Sequence, residues 1–296
     1  MMRIERRLAT IGISLGLSIC FAIPRDAVAA VERAQWQVLP ATPMLPQADK
    51  SGFSSVNGIR IWYGEYGVHN HGVPVLLLHG GLASSNYFGH LIPVLVRCGY
   101  RVIAADSRGQ GRSTRSTEPL SYGLMASDTL ALMDRLKLRK VDLVGWSDGG
   151  IIGLNIALTN GDRLNRLFAF GANADPSGTN QGLDKNPVFA EYLRRTREEY
   201  VHLSATPTQY GELLAQIETM WLHEPRYTRE QLTKISIPIT IADGQYDEAI
   251  RSEHDVYMAE VIPRANLVFL PNVSHFAMLQ NPAEFADAIL AFLKYR

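Results

Sequence analysis

Gly145-Trp146-Ser147-Asp148-Gly149-Gly150 follows directly on the strand-like run Val141-Asp142-Leu143-Val144 and precedes an almost uniformly apolar stretch, Ile151 to Leu158. A serine between two glycines at a strand-to-helix junction is how a sharp, strained turn presents a hydroxyl to a ligand. Gly145 and Gly149 stand where a β-carbon would meet neighbouring backbone as the chain reverses. The apolar stretch behind them suits a helix buried against a sheet.

Outward from this turn, apolar runs of strand length recur at Val73 to Leu78, Val102 to Ala105, Val141 to Val144, Leu167 to Phe170, Ile237 to Ala242 and Leu267 to Leu270. Such runs mark strands covered on both faces. Helical periodicity fills the gaps, as in Phe285, Ile289, Phe292 and Leu293 behind Asn281-Pro282, a cap followed by proline at the first helical position. Strand and helix alternate, so the expected class is α/β with a mostly parallel, doubly wound sheet. Upstream, Asn57-Gly58 separates Phe53 to Val56 from Ile59 to Tyr66 and supplies the positive φ angles of a tight hairpin, an antiparallel edge pair.

Gly171 to Ser236 breaks the rhythm, because 66 residues far exceed a usual connection. The segment is amphipathic and rich in Phe189, Tyr192, Tyr200, Tyr210, Met220 and Trp221. It reads either as a helical subdomain packed on itself or as a cap whose apolar underside walls a pocket. The second reading gains from its place at the carboxyl end of the sheet, where open α/β folds bind ligands. The expected division is 52–170 with 237–296 as core and 171–236 as cap.

Residues 1–29 are a different material: Arg3, Arg6 and Arg7 precede an uncharged run from Leu8 to Ile23, and Ala27-Val28-Ala29-Ala30 follows. This reads as a secretory signal cleaved after Ala29 or Ala30, with export to the periplasm or medium. The run is 16 residues long, short of the roughly 20 that cross a bilayer, so no stable membrane anchor is expected. Arg6-Arg7 leaves the twin-arginine and general export routes both open. Residues 30–51, with Pro40, Pro43 and Pro46, form an extended leader lying on the domain or loose in solvent. Without the signal, 25 basic residues face 27 acidic ones, and Cys98 is the single cysteine, so no intramolecular disulfide forms. There is no basic stripe for nucleic acid. The sequence leaves the oligomeric state open.

A serine hydroxyl needs a base to take its proton and a third group to orient that base. His275 lies in Pro271-Asn272-Val273-Ser274-His275-Phe276, five residues past a strand and just before the last helix, where a loop can carry it over Ser147. The turn Asp243-Gly244-Gln245-Tyr246-Asp247-Glu248 offers the acid. Asp247 is the candidate, Asp243 belongs to the strand end, Glu248 faces solvent, and Asp175 is the alternative. After the first core strand, Leu78-His79-Gly80-Gly81-Leu82 lets backbone approach a bound carbonyl closely. N–H groups of Gly81 or Leu82, with that of Asp148, are the candidate oxyanion donors. His79 is read as structural, fixing that loop. His69-x-His71 lacks the further ligands of a catalytic zinc, and no metal or other cofactor is expected. Arg194 to Glu199, mixed in sign, reads as a solvated cap face.

On these motifs, and on the chain order serine, acid, histidine, the chain from about Gly52 to Arg296 resembles the α/β-hydrolase family. Asp106-Ser107-Arg108-Gly109-Gln110-Gly111-Arg112-Ser113 looks like that family's loop bracing the site. Gly-Trp-Ser-Asp-Gly-Gly is similar to the elbow of the biphenyl hydrolase-like and valacyclovirase branch, whose members cleave small esters. The resemblance implies Ser147, His275 and Asp247 acting on a small-molecule ester, and an Asp148 that either holds a substrate ammonium or turns into the loop. Carbon–carbon bond hydrolysis, lactone opening and cofactor-free perhydrolysis use the same residues, and a binding protein on a retired hydrolase scaffold is the alternative of another class.

Overall fold

The computed structural model describes residues 33–294, so the expected signal peptide lies outside the described residues. In chain order the elements are β1 (Lys50–Val56), β2 (Ile59–Tyr66), β3 (Val75–Leu78), α1 (Leu91–Arg97), β4 (Val102–Ala105), α2 (Tyr122–Arg135), β5 (Val141–Trp146), α3 (Asp148–Thr159) and β6 (Leu164–Phe170). There follow α4 (Pro187–Leu203), α5 (Tyr210–His223), α6 (Arg229–Leu232), β7 (Ile239–Gly244), α7 (Ser252–Val261), β8 (Ala265–Leu270), α8 (Ala277–Gln280) and α9 (Pro282–Lys294).

One eight-stranded sheet runs β1-β2-β4-β3-β5-β6-β7-β8. β1 and β2 pair antiparallel around Asn57 (φ 43°) and Gly58 (φ 76°), and β2 is antiparallel to β4. The remaining pairs are parallel, so the carboxyl ends of β3, β5, β6, β7 and β8 share one edge. Two strands start later than their apolar runs. β3 begins at Val75 and β7 at Ile239 because Pro74 and Pro238 have no N–H to give a ladder; their carbonyls instead accept from Asp142 and Leu167.

Central strands are buried on both faces, but β8 is not. As the edge strand it leaves Leu267 and Phe269 each 36% exposed, which corrects the expectation of double coverage. The helices bury apolar stripes against the sheet: α9 presents Phe285, Ile289, Phe292 and Leu293, and Phe168 and Phe170 pack edge-on against Phe285.

Between β6 and β7, α4 buries Val188, Phe189, Tyr192, Thr196 and Tyr200 at helical spacing. α5 buries Tyr210, Leu213, Ile217 and Met220. Tyr200, Tyr210, Leu213 and Ile217 cluster with Leu82 of the loop after β3, so this layer packs onto the core's upper edge. The run Arg194 to Glu199 is only partly a solvated face. Arg194 pairs with Glu191 and Glu198 in solvent, whereas Arg195 turns inward and donates to the carbonyls of Leu39 and Pro40.

Those carbonyls belong to the leader, which lies along the domain. Leu39 is buried, Trp36 stacks on Tyr246 at 4.6 Å, and Gln280 Nε2 donates to the carbonyls of Trp36 and Val38. Gln280 also accepts from Ser274 N–H at 2.7 Å, linking the leader to the loop that carries His275.

Candidate active site

Parallel register brings the strand ends together. Trp146 pairs with Phe170, Phe170 with Ala242, and Gly244 with Leu270. Ser147 N–H therefore reaches Phe170 O (2.7 Å) and Gly171 N–H reaches Ala242 O (2.9 Å), setting Ser147, Gly171 and Asp243 on successive rungs.

Ser147 has φ 54° and ψ −121°, a conformation that L-residues adopt at a cost of about 1–3 kcal/mol. The neighbours make it unavoidable. A β-carbon on Gly145 would strike the Gly149 backbone, and one on Gly149 the Leu78 carbonyl, so the turn closes only around glycine. Gly80 also lies close, its β-carbon position 3.0 Å from Ser147 Cβ.

His275 is buried, and its Nδ1 stands 2.6 Å from Asp247 Oδ2. The other oxygen of Asp247 accepts from the N–H groups of Ala249 (2.6 Å) and Ile250 (2.7 Å), which locks the carboxylate. Burial alone would favour the neutral form of both groups, but their mutual attraction outweighs it: Asp247 is held below the usual carboxylate range and His275 above the usual imidazole range. Nδ1 is thus the donor, leaving Nε2 as the available base. Among the described residues Ser147 Oγ has no hydrogen bond to His275, a resting geometry common in unliganded hydrolytic sites. Asp175 is elsewhere, capping a turn through Ser177 N–H, and Asp243, buried next to Asp247, makes no hydrogen bond to the ring, whose Nδ1 is taken by Asp247. Glu248, expected in solvent, is turned inward, accepts from His275 N–H at 3.2 Å, and is pushed up to about 7 by burial and by the Asp247 charge.

The oxyanion candidates divide. Leu82 N–H is taken by Gln110 Oε1 at 2.6 Å, so it is not free to meet a developing oxyanion. Gly81 and Asp148 N–H groups have no acceptor among the described residues. His79 does hold its loop: Nε2 accepts from Ser107 N–H at 2.9 Å and Nδ1 faces Gly80 O. Asp106 accepts from Ser85 and Arg112, and Arg108 grips Asp128 with two hydrogen bonds (2.6 and 2.7 Å), bracing the second loop.

Asp148 turns its side chain away from the helix it starts. Oδ1 accepts from Tyr122 O–H and Trp221 Nε1–H, both at 2.8 Å, while Oδ2 is buried with no partner. Burial drives this carboxyl up to about 6 despite the two donors. Asp148, Tyr122, Phe189 and Trp221 line a cavity of about 430 Å³ between core and cap whose charged groups, Asp184, Glu218 and Glu224 included, are all acidic. Tyr122 does not stand out in the sequence, while Trp221 is read there only as part of the apolar cap and Gln110 only as part of the bracing loop.

The sequence profile of the "alpha/beta hydrolase fold" family matches residues 73–208. The 2-hydroxy-6-oxo-6-(2'-aminophenyl)hexa-2,4-dienoic acid hydrolase of Metapseudomonas resinovorans is 27% identical over 82% of this chain and 91% of its own. The human serine hydrolase BPHL is 28% identical over 81% and 85%. Among solved structures, a meta-cleavage product hydrolase from Pseudomonas fluorescens aligns over 83% of this chain and 97% of its own, with TM-score 0.69 and 21% identity. An esterase from Exiguobacterium antarcticum aligns over 83% and 100%, with TM-score 0.65 and 25% identity. Sheet order, serine turn and these likenesses agree that the chain is a hydrolase with the α/β-hydrolase fold.

Proposed function

We propose that this chain hydrolyses carboxylic esters of small molecules through an acyl-Ser147 intermediate. The observation that carries the reading is the 2.6 Å His275–Asp247 contact beside a serine held in a strained turn. Ser147 Oγ attacks the ester carbonyl as His275 Nε2 accepts its proton, and Asp247 stabilises the imidazolium. N–H groups of Gly81 and Asp148 receive the oxyanion, each contributing on the order of 3 kcal/mol in the transition state. The imidazolium then protonates the leaving alcohol, and water, deprotonated by the same imidazole, releases the acid.

The acidic charged groups of the cavity and the unpartnered Asp148 Oδ2 favour substrates bearing an ammonium, bound by a charge-assisted hydrogen bond. The signal-like residues 1–29 support export of the protein, which N-terminal sequencing of the secreted or periplasmic form tests. A panel of short- and medium-chain aryl esters, with Ser147→Ala as control, tests the reaction. Turnover and fluorophosphonate labelling in wild type but not in the variant support the reading, and their absence in wild type overturns it. A second reading, carbon–carbon bond hydrolysis by the same residues, draws on the Metapseudomonas relative and predicts turnover of vinylogous diketo acids without esters.

A further inference from the structure

Behind the His275–Asp247 pair lies a stack of acids that the mechanism above does not use. Asp243, the penultimate residue of β7, is 1% exposed and Asp255, on α7, is fully buried. Asp243 lies within hydrogen-bonding reach of both Asp247 and Asp255, and ligand-type atoms of Asp243, Asp247 and His275 all fall within 4.8 Å of one another. Asp243 Oδ1 already accepts from Gly244 N–H at 2.7 Å. Both oxygens of Asp255 are buried without any conventional donor.

The groups facing Asp243 are Asp247 from the loop after β7, Asp255 from α7, and His275 from the loop after β8, while Glu248 faces Asp247 and His275. Arg251 and Glu253 line a shallow depression beside it, but Arg251 pairs with Glu253. Among the described residues no cation makes a salt bridge with Asp243 or Asp255. Three buried carboxyls in contact, with one imidazolium at most to balance them, cannot all be ionised. An oxygen pair between two carboxyls at contact distance is a hydrogen bond only if one of them keeps its proton.

We propose that Asp243 is a neutral carboxylic acid whose O–H donates to the Asp247 carboxylate, making it a positioning residue for the acid that orients His275. The proposal rests on the reading of Asp247 and His275 given above. Asp247 then accepts from four donors, Ala249 N–H, Ile250 N–H, His275 Nδ1–H and Asp243 O–H, and its rotamer is fixed from every side. Burial drives Asp243 well above the usual carboxylate range, and Asp255 behind it up to about 8, so at neutral pH the two backing acids add no net charge. The extra donor draws charge from Asp247 and so tempers how far Asp247 raises the imidazole.

The test is the NMR titration of the His275 imidazole, together with pH profiles of kcat/KM on an aryl ester, in wild type, Asp243→Asn and Asp243→Ala. Asn keeps a donor in the same place and cannot ionise. Its His275 titration and the acid limb should coincide with wild type, with kcat within about threefold. Ala removes the donor. His275 should titrate at higher pH, and kcat should fall about 10- to 100-fold with KM little changed. A downward move of the His275 titration by about one unit or more in Asp243→Asn would show that wild-type Asp243 is anionic and would overturn the proposal. So would an Asp243→Ala protein indistinguishable from wild type. Should Asp243→Ala fail to fold, the Asn comparison still decides. The titration needs no substrate, so a wild type inert toward esters would sink the proposed reaction while leaving this result readable.

Discussion

Trp221 Nε1 on α5 donates to Asp148 Oδ1 on α3 at 2.8 Å, so the cap and the residue after Ser147 are joined by one hydrogen bond to a buried carboxyl. A hydrogen bond to a charged group is worth about 1.5–3 kcal/mol. Trp221→Phe keeps the ring area and removes the donor. The expected result is a KM raised about 10-fold or more for ammonium-bearing esters, read by steady-state kinetics. Uncharged esters should be little affected.

Ser147→Ala should reduce kcat by about 10⁴-fold or more while the protein stays folded. Ser147→Gly separates chemistry from strain. Glycine tolerates φ 54°, so this variant should be equally inactive yet more stable by about 1 kcal/mol, measured by urea unfolding. A Gly variant no more stable than Ala would show that the turn is not strained.

Gly171 has φ 59°, and a β-carbon there would stand 2.7 Å from His275 Cε1 and Nδ1. Gly171→Ala should therefore displace the imidazole and lower kcat about 100-fold, with a stability loss of about 1 kcal/mol from the backbone alone. Burst kinetics on an aryl ester would show slowed acylation.

Asp247→Asn should drop kcat by about 10⁴-fold by presenting the wrong imidazole tautomer. Because His275 is raised above its ordinary 6.5, protonation silences the base as pH falls through a value above 6.5, so kcat/KM on an uncharged ester should lose activity below that limb and hold above it. Burial holds the Asp148 carboxyl up to about 6. Ammonium-bearing substrates should lose additional affinity as pH drops through that value, and Asp148→Asn should abolish the extra loss.

Much of this was legible from residue types. Asn57-Gly58 named a hairpin, Gly-x-Ser-x-Gly after a buried strand named the elbow, and Asp247 was preferred over Asp175 because the acid-rich turn follows a strand of the right place in the order. What stayed hidden depends on side chains arriving from distant segments. Gln110 reaches across to occupy Leu82 N–H, Trp221 descends from the cap onto Asp148, and Asp255 comes from α7 to face Asp243. No local pattern encodes such meetings. One signal was nonetheless present: an aspartate inside Ile-Ala-Asp-Gly, an otherwise apolar strand run, is an acid placed where burial must keep it protonated or paired. The edge position of β8 was equally unreadable, since Leu267 and Phe269 look like core in isolation.

The amide of Gln280 touches Ser274 on one side and the carbonyls of Trp36 and Val38 on the other. The leader is thereby stitched to a loop formed almost 240 residues later. An enzyme shortened to begin at Gly52 would retain every strand from β2 onward, yet its imidazole loop would lose its outer clasp. Residues 36–38 thus brace the loop that carries His275, and trimming them should loosen that loop while the sheet stays whole.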